Sequence, residues 1–294
     1  MEGRLTERIC LCSGSFSKGQ KLIAQYIEDY PDKVAFMTAA KLGTTVGVSE
    51  STVVRFAMEI GYSGYPQMQQ AMQEMIRNRL TSVQRLEMTL GNIPLCKLLY
   101  SVLDQDVNIL RRTKEQIDQK AFYEAARALL PAKRVHILGA GSSLALATFM
   151  KHYFELIFDS VHLMEVTSEA RIYQQLIRID GDDAVIAISF PRYSKKAARA
   201  LRYAKDRGAA TLAITDSPLS PLAKYASHLL LARSDMVSFV DSLVGPLSII
   251  NALIVTVAAE KKSEVTKTLQ LLEDIWDQYS EYEKIDDKRA QSES

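Results

Sequence analysis

Glycine and serine residues occur together in one stretch, LGAGSSLALA, in a pattern that suits the binding of an anion. Gly139 and Gly141 let the backbone turn sharply, and Ser142 and Ser143 follow at the start of a predicted helix. A helix N-terminus presents free backbone amides and the positive end of the helix dipole, and serine hydroxyls add further donors. The stretch therefore predicts a site for a phosphate or carboxylate group.

A second stretch of the same kind reads ISFPRYSKKAAR. Ser189 ends a predicted strand, and Ser194 lies where the next helix begins, as a natural N-cap. Arg192 and Lys195 could add charge-assisted hydrogen bonds to a phosphate or carboxylate. Taken alone, the two serines suit capping. Together with the glycine-rich stretch they favour one shared ligand.

Two other interpretations of the glycine-rich stretch stay open at this point. Dinucleotide-binding loops have a third glycine and an acidic residue about 20 positions further on. In this chain Leu144 takes the third position, and Glu165 is only a loose fit for the acid. Alternatively, the stretch is a tight strand-to-helix turn that binds nothing.

The elements that must position these stretches are visible from residue 134 onward, where short apolar runs alternate with helical stretches. The runs are VHILGA, VHLMEV, AVIAIS, ATLAIT and HLLLA. The alternation predicts a doubly wound α/β fold, with a five-stranded parallel sheet covered by helices on both faces. Both stretches then lie at C-terminal strand ends, the side where open α/β sheets bind ligands. After the fourth run, Thr215, Asp216 and Ser217 are predicted to form a turn that caps a short helix.

The N-terminal part of the chain is predicted to be all-helical, and TAAKLGTTVGVSESTVVRF has the spacing of a helix-turn-helix unit. Gly43 is the small residue where the two helices cross, and Gly47 supplies the left-handed turn conformation. The buried positions are predicted to be Leu42, Val46, Val48, Val53 and Phe56.

The second helix of this unit is predicted to present small polar residues to DNA. Ser49 is its predicted N-cap, and the residues expected to be exposed near its start are Glu50, Ser51, Thr52 and Arg55. There a recognition helix meets base edges and phosphates, and small side chains allow close approach to the groove floor. The alternative is a helical hairpin that packs on the other domain and touches no DNA.

The charge of the chain is nearly balanced, with 36 Lys and Arg against 35 Asp and Glu among 294 residues. Overall charge therefore does not indicate nucleic acid or membrane as a partner. Residues 1–80 contain nine basic and eight acidic residues, so a single module should bind phosphates weakly. We expect two modules acting together on a palindromic operator of double-stranded DNA.

Cysteine usage and hydropathy indicate the compartment. The cysteines are Cys10, Cys12 and Cys96, and their spacing is not that of a metal site, which suits a reducing cytoplasm. A metal-binding role for Cys10 and Cys12 would need a second pair of ligands. No apolar run approaches the roughly 18 residues of a membrane span, and the N-terminus lacks the apolar core of a signal peptide.

The sequence resembles a known family in both parts. The segment FSKGQKLIAQYIEDYPDKVAFMTAAKLGTTVGVSESTVVRFAMEIGYSGYPQM is similar to the DNA-binding domain of the RpiR family of transcriptional regulators. The GAGSS loop, the S-x-x-x-x-S stretch and AITDSPLSPLAKYA look like a sugar isomerase (SIS) phosphosugar-binding domain. Their order along the chain is also that of the RpiR family.

The resemblance implies a bacterial repressor or activator, a homodimer or homotetramer, whose operator affinity changes when a phosphosugar binds the SIS domain. It implies ligand contacts from Ser142, Ser143, Ser189 and Ser194. Many SIS domains have S-x-S-G-x-[ST] where this chain has SFPRYS, with Pro191 and Arg192 in place of the second serine and the glycine. We therefore expect either a different phosphorylated or acidic metabolite or a narrower pocket.

A SIS-type sugar-phosphate isomerase is the alternative function, and it would need an acid and a base. The four histidines, His136, His152, His162 and His228, lie at positions that suit structural roles, and the candidate bases are Glu165 and Glu169. No paired acid and base is visible in the sequence. We therefore expect a regulator with no catalytic residue, no metal and no cofactor.

The predicted domains are a helix-turn-helix domain at 1–80, a helical linker at 81–125, a SIS domain at 126–284 and a disordered tail at 285–294. The first helix is predicted to begin after Ser17, its N-cap, and to end before Pro31. One face of this helix is predicted to consist of Leu22, Ile23, Tyr26 and Ile27.

Overall fold

The computed structural model describes residues 5–76, 81–86, 93–235 and 240–279. The chain divides into two compact units, Met1–Val102 with Met236–Val240, and Leu103–Asp235 with Asp241–Ser294. The predicted boundaries of the domains and linker stay predictions, and the predicted disordered tail lies outside the described residues.

The first unit is helical, as predicted. Its helices are α1 (Leu5–Cys12), α2 (Lys18–Asp29), α3 (Pro31–Val34), α4 (Ala39–Val46), α5 (Glu50–Glu59) and α6 (Tyr65–Ile76). Apolar side chains from all six helices form one buried cluster. Helix α2 starts with a capping box, because Ser17 Oγ accepts a hydrogen bond from the Gln20 amide and Gln20 Oε1 accepts one from the Ser17 amide. The helix ends before Pro31, which opens α3.

The buried face of α2 differs from the prediction at one position. Ile23 and Ile27 are buried as expected, whereas Leu22 is 48% exposed. The buried residues of the helix are Gln20, Ile23, Ala24 and Ile27. Their spacing forms one stripe along the helix, and Leu22 lies about 100° around the helix from Ile23. The expected burial of Leu22 was therefore wrong.

Helix α7 (Leu98–Gln116) begins in the first unit and continues into the second. It presents several large apolar side chains to the surface, namely Leu99, Tyr100, Leu103 and Val107. Its C-terminal half is tied to the second unit by polar contacts. Ser242 Oγ donates to Asp106 Oδ1 over 2.6 Å, and Arg112 Nη1 lies 3.0 Å from Asp235 Oδ2.

The second unit contains a five-stranded, fully parallel sheet in the order β2-β1-β3-β4-β5. The strands are β1 (Arg134–Gly139), β2 (Val161–Leu163), β3 (Asp183–Ile188), β4 (Ala210–Thr215) and β5 (His228–Leu231). This confirms the predicted sheet, although β2 is shorter than the apolar run at 161–166. Strand β3 is buried along its whole length, which explains its continuous apolar sequence.

Helices cover both faces of the sheet, so the predicted doubly wound architecture is confirmed. They are α8 (Gln119–Leu129), α9 (Ser143–Phe154), α10 (Glu169–Leu176), α11 (Lys195–Asp206) and α12 (Val244–Glu260). The chain continues in α13 (Lys262–Tyr279), which has no buried residue. Side chains of α8, α9 and α12 form one apolar core with the sheet, and side chains of α10 and α11 form a second core.

Among the helices in the described ranges, no single helix is long and apolar enough to cross a membrane. Helices α12 and α13 pass the test of length and composition only when joined, and the chain bends by 100° at the break between them.

The direction in which successive strands are added to the sheet reverses between β1 and β3. Strands β1 and β3 are neighbours, and Gly139 at the end of β1 is the register partner of Ile188 at the end of β3. The helices that follow these two strands, α9 and α11, contribute to different cores. A crevice is expected between the C-terminal ends of two such strands, and it is the usual ligand site of open α/β sheets.

Candidate functional site

The helix-turn-helix turn depends on two glycines with different tasks. Gly47 has φ of 80° and closes α4 by donating from its amide to the Gly43 carbonyl. Gly43 lies where the helices meet, because a Cβ there would be 2.8 Å from the Val48 carbonyl oxygen and 3.2 Å from the Glu50 nitrogen. Leu42, Val53 and Phe56 are fully buried, as the spacing predicted.

The first two turns of α5 present the predicted DNA-contacting residues at the surface. Ser49, Glu50, Ser51 and Arg55 are exposed, and Thr52 is half-buried. The Ser49 hydroxyl caps α5 by accepting from the Thr52 amide at 3.2 Å. It also lies 2.9 Å from Ser51 Oγ and 2.8 Å from Thr52 Oγ1. The hydroxyl groups at the start of the helix are therefore tied to one another.

A residue outside the predicted motif helps to position α5. Gly19, in the first turn of α2, lies so near that a Cβ would be 3.3 Å from Val48 Cγ1 and 3.6 Å from Thr52 Cγ2. The DNA-binding unit is thus a three-helix arrangement in which α2 packs against the turn between α4 and α5. A glycine at the start of an otherwise good helix was the sequence signal that could have revealed this contact.

The glycine-rich loop after the C-terminal end of β1 also contains two glycines with different structural roles. A Cβ on Gly139 would be 2.3 Å from the Ser143 carbonyl oxygen, so only glycine lets α9 start so close to β1. Gly141 has φ of 60° and open space around it. Ser142 is exposed at the N-cap position of α9, but its side chain makes no capping hydrogen bond, and Ser143 is buried.

The serine-rich turn after β3 begins beside that loop. Ser189 is buried, and its hydroxyl accepts from the Ser194 amide at 3.1 Å. Ser194 caps α11 as predicted, since its hydroxyl accepts from the Ala197 amide at 3.2 Å. Arg192 is exposed and has φ of 67°, and it is the one non-glycine residue with positive φ in the described ranges.

Comparison with known proteins agrees with both halves of this description. The model of the helix-turn-helix domain of the rpiR family matches residues 4–79, and the SIS domain model matches residues 128–256. The chain is a member of the RpiR family of transcriptional regulators.

Relatives of this RpiR chain have similar names and lengths. An HTH-type transcriptional regulator of Clostridium perfringens is 25% identical over 257 residues, which are 85% of this chain and 91% of that protein. The HTH-type transcriptional regulator HexR of Pseudomonas aeruginosa is 24% identical over 75% of each chain.

Two solved structures have the same fold in whole or in part. The sugar isomerase domain of the RpiR transcription factor of Sphaerobacter thermophilus is 29% identical with a TM-score of 0.58, covering 60% of this chain and 99% of that one. The NanR protein of Vibrio vulnificus, complexed with ManNAc-6P, is 22% identical with a TM-score of 0.55, covering 92% and 98%.

Arg192 has positive φ at a position where this RpiR chain departs from the SIS sequence pattern. In the pattern S-x-S-G-x-[ST], Arg192 takes the glycine position. Its backbone adopts the left-handed conformation that glycine adopts without cost. Such strain in a non-glycine residue is concentrated at functional sites and is held by the surrounding structure.

Two polar residues near the crevice were not predicted to interact. The Tyr193 hydroxyl donates to Asp216 Oδ1 over 2.8 Å, which links the serine-rich turn to the end of β4. Thr215 is the last residue of β4, and the turn lies further on at 218–219, where Ser217 Oγ accepts from the Leu219 amide. The short helix that follows at Ala223–Tyr225 has no side-chain cap, so the predicted capping role of residues 215–217 was wrong. Because Tyr193 and Asp216 are 23 residues apart, no local sequence pattern indicates their contact.

The candidate acids and bases are engaged in ring stacking and ion pairs. His136 stacks on His162 with ring centroids 5.0 Å apart, and burial followed by the charge of His162 lowers the pKa of His136 to about 4. The Arg171 guanidinium hydrogen-bonds to Glu165 and holds the pKa of that carboxyl below its usual value. Glu169 forms an ion pair with Arg199.

In the part of the chain that the structure describes, no cluster of three or more His, Cys, Asp or Glu side chains could hold a metal ion. Cys12 Sγ lies 3.6 Å from the Glu59 carbonyl oxygen, and Cys10 is exposed.

Proposed function

We propose that this RpiR regulator binds an operator through α5 and changes its operator affinity when a phosphorylated sugar or related anionic metabolite binds the strand-end crevice. The proposal is supported most by two features of one chain. One is the exposed helix edge at Ser49–Arg55, and the other is the exposed serine hydroxyl of Ser142, which is not used for capping at the start of α9.

The DNA contacts are proposed for Ser49, Glu50, Ser51, Thr52 and Arg55. Arg55 is exposed two turns into α5, where an arginine side chain can bind guanine or a phosphate. The short side chains at the start of the helix permit its N-terminus to approach the base edges. Glu50 can accept a hydrogen bond from a cytosine amino group.

The modest charge of residues 1–80 supports a homodimer or homotetramer on a palindromic operator. Two recognition helices bind more tightly than one, and a two-fold protein matches a two-fold operator. The exposed apolar side chains of α7 support self-association, because Leu99, Leu103 and Val107 recur every four residues on one helix face.

The effector site is proposed to consist of Gly139, Gly141, Ser142, Ser143, Ser189, Arg192 and Ser194. The loops that contain these residues leave neighbouring strand ends, and each leads into a helix N-terminus. The NanR complex with ManNAc-6P makes a sugar phosphate the first class of effector to test. Arg192 adds a cation where the usual pattern has glycine, which favours a ligand with an additional acidic group.

A regulatory function is favoured over sugar-phosphate isomerisation. The relatives of this chain described above are named as transcriptional regulators. The candidate base Glu165 is held in an ion pair, and His136 is buried within the sheet rather than at its C-terminal edge. We therefore propose a non-enzymatic protein that acts in the cytoplasm, with domains at 1–80 and 126–284 joined by a helical linker at 81–125.

The DNA half of the proposal can be tested by selecting duplexes from a random pool with the full chain. We expect enriched sites with two half-sites related by a two-fold axis. Arg55→Ala should weaken binding of a selected duplex roughly tenfold or more, as expected for one lost base or phosphate contact. Lys33→Ala, which removes an exposed cation from α3, serves as the charge control. Equal losses in both variants, or no enriched site, would contradict the proposal.

The effector half can be tested by thermal shift with phosphosugars, sugar acids and their phosphates. A ligand that stabilises the chain should lose its shift in the double variant Ser142→Ala/Ser194→Ala. Because Ser194 caps α11, the matched control is Ser168→Ala, which removes the N-cap of α10. An unchanged shift in the double variant places the ligand elsewhere. Incubation with aldose and ketose phosphates tests the isomerase alternative, and interconversion would overturn the non-enzymatic assignment.

A further inference from the structure

A basic cavity lies between α11 and the chain segment that leads from β4 to β5. Its volume is about 470 Å³, within the usual range for small-molecule sites. Its cations are Lys195, Arg199, Arg202 and Lys224. Tyrosine side chains and Leu219 complete the walls, and no aspartate or glutamate lines the cavity among the described residues.

Three of the four cations form a row along one face of α11. Lys195, Arg199 and Arg202 are spaced by four and three residues, which places them on one side of the helix. At 1.5 Å per residue, the row extends over about 10 Å. A ligand with two separated anionic groups matches the length of such a row better than a single phosphate group does.

Carboxylates outside the cavity balance part of this charge. Glu169 pairs with Arg199, and Asp206 lies 3.7 Å from Arg202. Both pairs are about half exposed, so they hold the arginines weakly. Four cations against these two carboxylates leave an excess of two positive charges at the cavity.

A buried hydroxyl in the wall provides an independent indication of a ligand. Ser220 lines the cavity and is 4% exposed. Its Oγ is buried and has no hydrogen-bond partner among the described residues. Native proteins contain few such groups, and each one calls for a partner that completes it.

We propose that this cavity is a second anion-binding site, for a small molecule with two separated phosphate or carboxylate groups. The α11 row and Lys224 bind the anionic groups, and the Ser220 hydroxyl donates to one of them. The site does not depend on the effector crevice, since only Tyr193 and Lys195 adjoin the serine-rich turn. Lys195 is for that reason left unchanged in the test.

The experiment is calorimetric titration of the full chain with tripolyphosphate and with orthophosphate at fixed ionic strength. We expect tripolyphosphate to bind more tightly than orthophosphate. Lys224→Gln and Arg202→Gln should each weaken tripolyphosphate binding roughly tenfold, the size of one charge-assisted hydrogen bond. Lys267→Gln, which removes an exposed lysine from α13, should leave the affinity unchanged.

Ser220→Ala separates ligand binding from folding. It should weaken tripolyphosphate binding without lowering the melting temperature of the free protein, because the hydroxyl has no partner to lose. The proposal is overturned by equal losses in Lys224→Gln and Lys267→Gln, or by wild-type affinity in Ser220→Ala.

Discussion

The helix-turn-helix turn and the glycine-rich loop at the sheet edge solve the same backbone problem. Each has one glycine that allows a close approach, Gly43 or Gly139, and one that adopts positive φ, Gly47 or Gly141. The similarity is imposed by sterics, because two elements that meet at a sharp turn need both a small residue and a left-handed one.

The two regions differ in how their serine hydroxyls are used. The Ser49 hydroxyl completes α5 by capping it and lies within hydrogen-bond distance of its neighbours. The Ser142 hydroxyl makes no capping bond. The difference fits the two proposed tasks, since a DNA-binding surface requires a preorganised helix and a ligand site requires donors that remain available. It also teaches that the same residue type at a helix start is not evidence of the same role.

Alanine at the four glycines should show the largest effect and separate close approach from positive φ. Gly139→Ala and Gly43→Ala should each lower the free energy of unfolding by about 3 kcal/mol, because the new Cβ overlaps backbone atoms that cannot move freely. Gly141→Ala and Gly47→Ala should each cost about 1 kcal/mol, for the left-handed conformation alone. Urea denaturation followed by circular dichroism measures the free energy of unfolding of all four variants. Equal costs for Gly139→Ala and Gly141→Ala, or for Gly43→Ala and Gly47→Ala, would contradict the division into close approach and positive φ.

Acid should destabilise the second unit through His136, which is buried in β1. The folded-state pKa of His136 is lowered to about 4, so between pH 6.5 and 4 the unfolded chain takes up a proton that the folded chain excludes. The contribution of His136 to the free energy of unfolding is therefore fully present above pH 6.5 and is lost as the pH falls. The loss is about 2 kcal/mol at pH 5.

Scanning calorimetry at pH 7 and pH 5 measures this effect. His136→Gln should reduce the loss, whereas His152→Gln, at an exposed position on α9, should leave it as in the wild type. The same pH dependence in wild type and His136→Gln would show that another group is responsible.

Removing the hydroxyls of Ser49 and Ser142 tests directly the difference between the starts of α5 and α9. Ser49→Ala should lower the free energy of unfolding by about 1 kcal/mol, the usual value of an N-cap. Ser142→Ala should change it by less than about 0.5 kcal/mol, while weakening effector binding. Thermal or urea denaturation of both variants under one set of conditions measures the loss of stability. A similar loss in Ser49→Ala and Ser142→Ala would contradict the difference between the two helix starts.

A further expected effect concerns Arg192, the strained residue that has no counterpart in the helix-turn-helix turn. Arg192→Gly should raise the free energy of unfolding by roughly 0.5–1 kcal/mol, because glycine adopts positive φ without strain. If Arg192 binds the effector, the same variant should bind it more weakly. A variant that is both less stable and unchanged in effector affinity would show that Arg192 is held by other contacts.

Much of the fold was predictable because the decisive interactions are local. The helix-turn-helix unit follows from spacings within about twenty residues, and the caps at Ser17, Ser49 and Ser194 join groups three residues apart. The parallel sheet follows from the alternation of apolar runs with helices, since each run had to be buried between two helical layers.

The tertiary structure decided the features that join distant parts of the chain. The Tyr193–Asp216 hydrogen bond, the orphaned hydroxyl of Ser220 and the stacking of His136 on His162 arise only when separate elements pack together. The exposure of Leu22 and the positive φ of Arg192 are of the same kind, because a local pattern favours a conformation but the surroundings select it. The sequence thus determined the elements and their ends through short-range sterics and hydrogen bonds, while long-range packing determined which polar groups remain available to a ligand.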